Sequence, residues 1–157
     1  MPTLCACPSP TRTPIRRRKA KQPAGITPQR AVTLLQHLDE LSPGKAELVP
    51  EDGILLEKTT VSFEPGESVF DVFSRCLREE KLHFEYVDAK AFGSVYIEGI
   101  GNLYEFDCGE QSGWIYFVNG ISPGLGCSGY TVESGDEIVF AYTCDMGADL
   151  GVEKLDE

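Results

Sequence analysis

Of four aromatic side chains with polar tips, Trp114, Tyr116 and Tyr142 flank residues 121–134, a stretch rich in Gly and Ser, and Tyr130 lies within it. Such rings offer a broad apolar face to a planar or amphipathic ligand, and a hydroxyl or indole N–H to its polar edge. Within the stretch, Gly124 and Gly126 let backbone donors come close to a ligand because no Cβ intervenes. Asn119 adds a side-chain amide just ahead of it. Trp114, Tyr116, Asn119, Gly124, Gly126, Tyr130 and Tyr142 are therefore the candidate ligand-binding set. Each also has an ordinary structural role: aromatic residues of an inner strand commonly pack a core, and Asn119-Gly120 commonly does no more than turn the chain.

Other chemistries find less support. The chain has no GxSxG elbow, HExxH, phosphate-cradling GxxxxGK or dinucleotide fingerprint. Cys108 or Cys127 with His83 is a conceivable nucleophile and base, but no residue is identifiable to orient the imidazole. The expectation is no enzymatic activity, no catalytic residue and no cofactor. Asp107, Asp145 and Asp149, near glycines, are oxygen ligands of the kind calcium takes, yet their spacing is not that of an EF-hand loop. The six cysteines include no CxxC pair, and the only histidines are His37 and His83. Zinc is disfavoured and no metal site is expected. Cys5 and Cys7 lie near the N-terminus and Cys76 in an expected helix. Cys108, Cys127 and Cys144 fit either one disulfide plus a free thiol or three reduced core thiols.

Charge is unevenly placed. Seven of the 14 Lys and Arg residues lie between Arg12 and Arg30, and no acid precedes Asp39. The remaining seven basic residues face 25 acidic ones, a net of −18, so the body of the chain repels nucleic acid and anionic membrane. The cluster Arg16, Arg17, Arg18, Lys19 and Lys21 lacks interleaved aromatics and reads as a solvated tail or linker. No nucleic-acid partner is expected. No apolar run approaches the length of a membrane span, and the first thirty residues lack the apolar region of a signal peptide. A membrane connection is thus expected only through an anchor upstream of the given start.

The elements that must position the candidate residues can be read from periodicity. Residues 112–120 (SGWIYFVNG) and 135–142 (GDEIVFAY) are β-branched and aromatic runs bounded by turn formers, expected to pair antiparallel with the first as a central strand. About fifteen residues separate them, so a long loop joins the pair. Residues 59–63 (TTVSF) read as a strand. Residues 68–81 read as an amphipathic helix with a Ser68/Asp71 capping box and an apolar stripe through Val69, Phe70, Val72, Phe73, Cys76 and Leu77. Residues 83–87 and 93–97 are further strands, and the glycines at 99 and 101 suggest a bend. Thr27-Pro28 opens a short amphipathic helix over about 28–41, with Ala31, Leu34, Leu35, Leu38 and Leu41 on its stripe. One helix followed by several strands gives an α+β domain, a mixed sheet with the helix packed across one face.

The series TTVSFEPGESVFDVF, SGWIYFVNG, a Gly-rich loop and YTVESGDEIVFAY closely resembles the transcobalamin-like C-terminal domain. This is a family of uncharacterised bacterial domains related to the C-terminal domain of the cobalamin carriers transcobalamin and intrinsic factor. Its markers here are Trp114-x-Tyr116-x-Val118-Asn119-Gly120 and Gly135-Asp136. The resemblance covers residues 59–151 and implies a β-grasp-like fold in a secreted or cell-surface protein of Gram-positive bacteria. Together with the composition and periodicity above, it divides the chain into a disordered basic tail (1–25), an amphipathic helix and linker (26–58), the domain itself (59–151) and an acidic tail (152–157). It implies a non-enzymatic extracytoplasmic binding module with cobalamin, another corrinoid or a similar small molecule as candidate ligand. The alternative is a cell-surface interaction or adhesion module whose partner is a cell-envelope protein. Export would further imply one disulfide among Cys108, Cys127 and Cys144, with Cys108–Cys144 preferred because antiparallel pairing puts Trp114 and Tyr142 near one end of the sheet.

Overall fold

The computed structural model describes residues 22–26, 41–89 and 93–152. The basic cluster, the amphipathic helix expected over 28–41 except for Leu41, and the acidic tail beyond Val152 lie outside them. In chain order the elements are β1 (Gln22–Ile26), β2 (Thr59–Phe63), α1 (Val69–Glu79), β3 (Phe84–Ala89), β4 (Ser94–Ile100), β5 (Leu103–Tyr104), β6 (Gly113–Val118) and β7 (Glu137–Thr143). The architecture is α+β.

Helix α1 begins where its sequence directs. The Ser68 hydroxyl accepts from the Asp71 N–H at 3.2 Å and the Asp71 carboxylate accepts from the Ser68 N–H at 2.9 Å, satisfying two donors that have no partner within the helix. The stripe recurs every three to four residues, so Val69, Val72, Phe73, Cys76 and Leu77 are all buried on one side. Fully burying a side chain such as Leu77 or Phe73 contributes about 2–3 kcal/mol before ordering entropy is subtracted. Phe73 stacks on Phe140 of β7 with ring centroids 3.7 Å apart. Around this contact Phe63, Ile97, Ile100, Tyr116, Val118, Val132 and Ile138 complete the main core. A smaller cluster joins Leu41, Val49, Leu103, Cys108 and Tyr142.

The strands form two sheets where one mixed sheet was expected. The first runs β2-β1-β7-β6, with β1 parallel to β7 and the other pairings antiparallel; the second runs β3-β4-β5 and is antiparallel throughout. Strands β4 and β6 lie side by side without a ladder between them. Side chains occupy that seam: a Cβ at Gly113 would lie 3.6 Å from the Tyr96 hydroxyl and 3.8 Å from Glu105 Cβ.

Strand β6 therefore stands at the hydrogen-bonded edge of its sheet, which corrects the expectation of a central strand. Its two apolar faces have another cause. Tyr116 and Val118 join the core under α1. On the other face, Ile115 meets the turn at Gly147, where an added Cβ would lie 2.8 Å from Ile115 Cδ1 and 3.0 Å from Val152.

A second correction concerns residues 22–25, expected to end the disordered tail. They form most of β1, pairing along their length with β2, while Gly25 and Ile26 also pair with β7. The backbone groups of β2 and β7 provide the partners, so no apolar alternation is required of the sequence QPAGI. Pro23 lies beyond the part paired with β7, on the stretch where a strand tolerates a missing N–H.

Candidate functional site: two clefts joined at Tyr96

Strands β6 and β7 pair in the register Trp114↔Tyr142, Tyr116↔Phe140 and Val118↔Ile138, which puts these six side chains on one face. At the end of β6 the Val118 and Ile121 backbones exchange hydrogen bonds of 2.9 and 3.0 Å. Asn119 (φ 53°) and Gly120 (φ 80°) between them both adopt the left-handed conformation, as a two-residue type I′ turn requires.

The loop that follows is tied down along its length. Cys127 and Tyr130 carbonyls accept from the Phe70 and Val69 N–H groups at 3.0 and 2.9 Å, so the loop takes up donors at the start of α1. The Tyr116 hydroxyl donates to the Leu125 carbonyl at 2.6 Å. Ser128 Oγ accepts from the Val95 N–H at 2.9 Å, and the Cys127 thiol lies 3.6 Å from the Val95 carbonyl. These contacts press the loop onto the first residues of β4, beyond the reach of β5, which pairs only with Gly99 and Ile100. At Gly126 the approach is so close that a Cβ would overlap Ser94, at 2.3 Å from Ser94 Cβ and nearer still to its Oγ.

A cleft of about 540 Å³ opens there. Its lining is Val87 and Ala89 of β3, Ser94, Val95, Tyr96 and Glu98 of β4, and Gly126 of the loop. The cross-strand pairs Val87↔Tyr96 and Ala89↔Ser94 share one face and make its floor. Tyr96 also lines a second cleft of about 320 Å³, together with Phe106, Trp114, Ile115 and Met146 and the segment 110–113. Tyr96 is 45% exposed, Phe106 59% and Met146 64%. The two clefts thus meet at an aromatic ring with solvent access on both sides. The Tyr96 hydroxyl donates to Glu105 at 2.7 Å. Burial, then the hydrogen bond to Glu105 and the charges of Glu105 and Glu98, hold that phenol far above its ordinary pKa, so it remains a neutral donor.

The candidate residues divide between surface and scaffold. Trp114 lines the smaller cleft and Gly126 the larger. The Trp114 indole N–H is committed to the Leu103 carbonyl at 3.0 Å, and its ring meets Tyr142 edge-on at 5.3 Å. Tyr142 has no exposed surface; its hydroxyl donates to the Tyr104 carbonyl at 2.7 Å and lies 3.1 Å from Ser112 Oγ. Tyr116 is buried, its phenol pushed up to about 12 chiefly by that burial. Tyr130 is half-buried against the core, and Gly124 is exposed with open space around it. Asn119 is bound into the start of β7. The structure therefore brings Trp114 and Gly126 to adjoining clefts and puts Tyr116, Asn119 and Tyr142 into the frame that holds them. Val87, Tyr96, Phe106 and Met146 were not anticipated. For Tyr96 a signal existed: in Val95-Tyr96-Ile97 the aromatic residue is out of phase with its apolar neighbours, which marks the outward face of a strand.

Cys108 and Cys144 form a disulfide with Cα atoms 5.5 Å apart, next to the Gly113↔Thr143 end of the β6–β7 pair. Cys76 and Cys127 are buried thiols, and burial pushes Cys127 up to about 11. Neither Cys108, oxidised, nor Cys127, protonated at neutral pH, has the thiolate character a nucleophile needs. Two of the three aspartates weighed for calcium, Asp107 and Asp149, have separate tasks. Asp107 accepts from the Tyr104 N–H at 2.8 Å and pairs with Lys45 at 3.1 Å. Asp149 accepts from the Cys144 N–H at 2.8 Å and from the Thr143 hydroxyl. Among the described residues no group of three or more His, Cys, Asp or Glu is arranged to hold a metal ion.

No curated protein matches the chain in sequence. Among solved structures, haptocorrin in complex with Cbi (cobinamide) aligns with a TM-score of 0.50 at 18% identity, over 55% of this chain and 21% of that one. This is a likeness of fold, and the chain spans about a fifth of haptocorrin's length. A protein from Ruminococcus gnavus ATCC 29149, named as a proposed metal binder, aligns with a TM-score of 0.37 at 15% identity, over 55% of this chain and 82% of that one. The family model described as a domain of unknown function, DUF4430, matches residues 66–144, from the turn before α1 to the disulfide at Cys144. The chain belongs to this DUF4430 family.

Proposed function

We propose that this chain is a non-enzymatic binding module that works outside the cytoplasm and takes a corrinoid or similarly broad amphipathic small molecule across the two clefts. The observation that carries this reading is the pair of clefts meeting at Tyr96, with Phe106, Trp114 and Met146 beside it. A surface with apolar rings and a few fixed polar groups suits an apolar ligand with a polar edge. The haptocorrin likeness supports a corrinoid as the first ligand to test, because that protein was solved with Cbi on a similar fold. The β-grasp-like description belongs to the same reading, supported by α1 packing across the mixed sheet. The Cys108–Cys144 disulfide supports an oxidising compartment.

Absorbance difference titrations with cobinamide and cobalamin test the reading. A saturable spectral change that is lost in Tyr96→Ala is expected; its absence at micromolar protein removes the corrinoid. A second reading, contact with a cell-envelope protein, is favoured by Ile121 and Leu125, which project from the loop at 72% and 49% exposure. Envelope-protein capture that depends on Ile121 and Leu125, with no corrinoid response, selects that reading.

A further inference from the structure

The clefts carry a charge signature as well as apolar rings. Glu98 lines the larger cleft and Glu110 the smaller, and among the described residues no Lys, Arg or His lines either. Neither carboxylate has a hydrogen-bond or ion-pair partner among the described residues. A third, Glu105, holds the shared Tyr96 hydroxyl. Among the described residues, Lys45 binds Asp107 and the Asn102 carbonyl and lies over the Tyr104 ring, and the His83 ring bonds Glu85. Burial first, and then the Glu105 and Glu98 carboxylates, raise the pKa of Tyr96.

We propose that the clefts select positively charged amphipathic ligands, with Glu98 and Glu110 as the specificity-determining carboxylates and the Tyr96 and Phe106 rings as apolar and cation–π surfaces. The assignment deepens the reading of this surface as a ligand site and rests on it, though not on the ligand being a corrinoid. Two carboxylates flanking exposed rings favour a cation twice, by Coulomb attraction in a partly desolvated cleft and by the negative face of each ring. They disfavour an anion of the same shape by the same charges. Selection of this kind lies in the sign of the ligand's charge, not in its outline.

Tetraphenylphosphonium and tetraphenylborate test this directly, because they have nearly the same size and shape and opposite charge. Binding to the full chain is followed by calorimetry and by fluorescence of Trp114, the sole tryptophan, which lines the smaller cleft. The phosphonium is expected to bind at least about tenfold more tightly than the borate, with the difference shrinking as salt is raised. In the folded Glu98→Gln/Glu110→Gln double variant that preference should fall by about tenfold. Equal binding of the two ions, tighter binding of the borate, or no binding of either would overturn the assignment. If the phosphonium binds as expected while cobinamide and cobalamin do not, the corrinoid is removed and the charge selection stands.

Discussion

Asn119 and Asp136, seventeen residues apart, are hydrogen-bonded to one another at 2.9 Å. The same Asn119 side chain accepts from the Glu137 N–H at 3.0 Å, its backbone N–H donates to the Glu137 carbonyl at 2.9 Å, and the other Asp136 oxygen accepts from the Glu133 N–H at 2.9 Å. The two sequence markers, Val-Asn-Gly and Gly-Asp, are thus the two halves of one clasp that closes the loop between β6 and β7. Replacing Asn119 by Ala removes both side-chain hydrogen bonds, to Asp136 and from the Glu137 N–H, and puts Ala at a positive φ. A loss of about 2–3 kcal/mol is expected from chemical denaturation. Asn119→Gly should lose less, because it keeps the backbone conformation; equal losses would mean that backbone strain plays no part.

The Cys108–Cys144 disulfide closes a loop with a sequence separation of 36 residues. Chain-entropy arguments put its stabilisation at about 4 kcal/mol, so the denaturation midpoint should drop markedly under reducing conditions and in Cys108→Ala/Cys144→Ala. An unchanged midpoint would show that the bond contributes nothing in solution.

Cys127 gives the domain an alkaline limit. Its thiol ionises near pH 9 in the unfolded chain and near 11 in the folded one, because burial disfavours the thiolate. Between those values the unfolded state has lost the proton that the folded state retains, so stability is complete below about pH 9 and declines as pH rises toward 11. Tyr116, pushed up to about 12, extends the decline. Denaturation midpoints measured across this range should fall, and Cys127→Ala should flatten the first part of the fall.

The wall of the larger cleft depends on Gly126 having no side chain. Gly126→Ala should cost about 1–3 kcal/mol by forcing the loop off Ser94. In a Ser94→Gly background both overlapping atoms are gone, and the cost should shrink to well under half. A double-mutant cycle reads this coupling, and additive effects would contradict the contact.

Much of this fold is legible in the sequence where the determinants are local. The run TTVSF is β2 to the residue, Ser68 and Asp71 make the capping box, and the alternation of 113–118 and 137–143 gives two paired strands. The division into two sheets is not local: it depends on Tyr96 and Glu105 occupying the seam beside Gly113, and no pattern within β4 or β6 encodes that. Strand β1 is equally hidden, since QPAGI has no alternation and is held by its neighbours' backbones. At the clefts, the loop was identifiable from its glycines. The aromatic side chains were harder, because a strand sequence shows which residues are apolar before it shows which remain exposed. Tyr142, a candidate for its polar tip, is fully buried, whereas Tyr96, open to both clefts, is marked only by standing out of phase with Val95 and Ile97.

The central claim is that a small amphipathic ligand occupies the surface around Tyr96, and amide chemical-shift mapping during titration with cobinamide tests it most directly. The account predicts saturable shifts concentrated at Val87, Tyr96, Phe106, Gly113 and Gly126 and at the Trp114 indole, all lost in Tyr96→Ala. Shifts confined to the separate groove at Leu55, Lys58 and Leu82, or none at all, would contradict it.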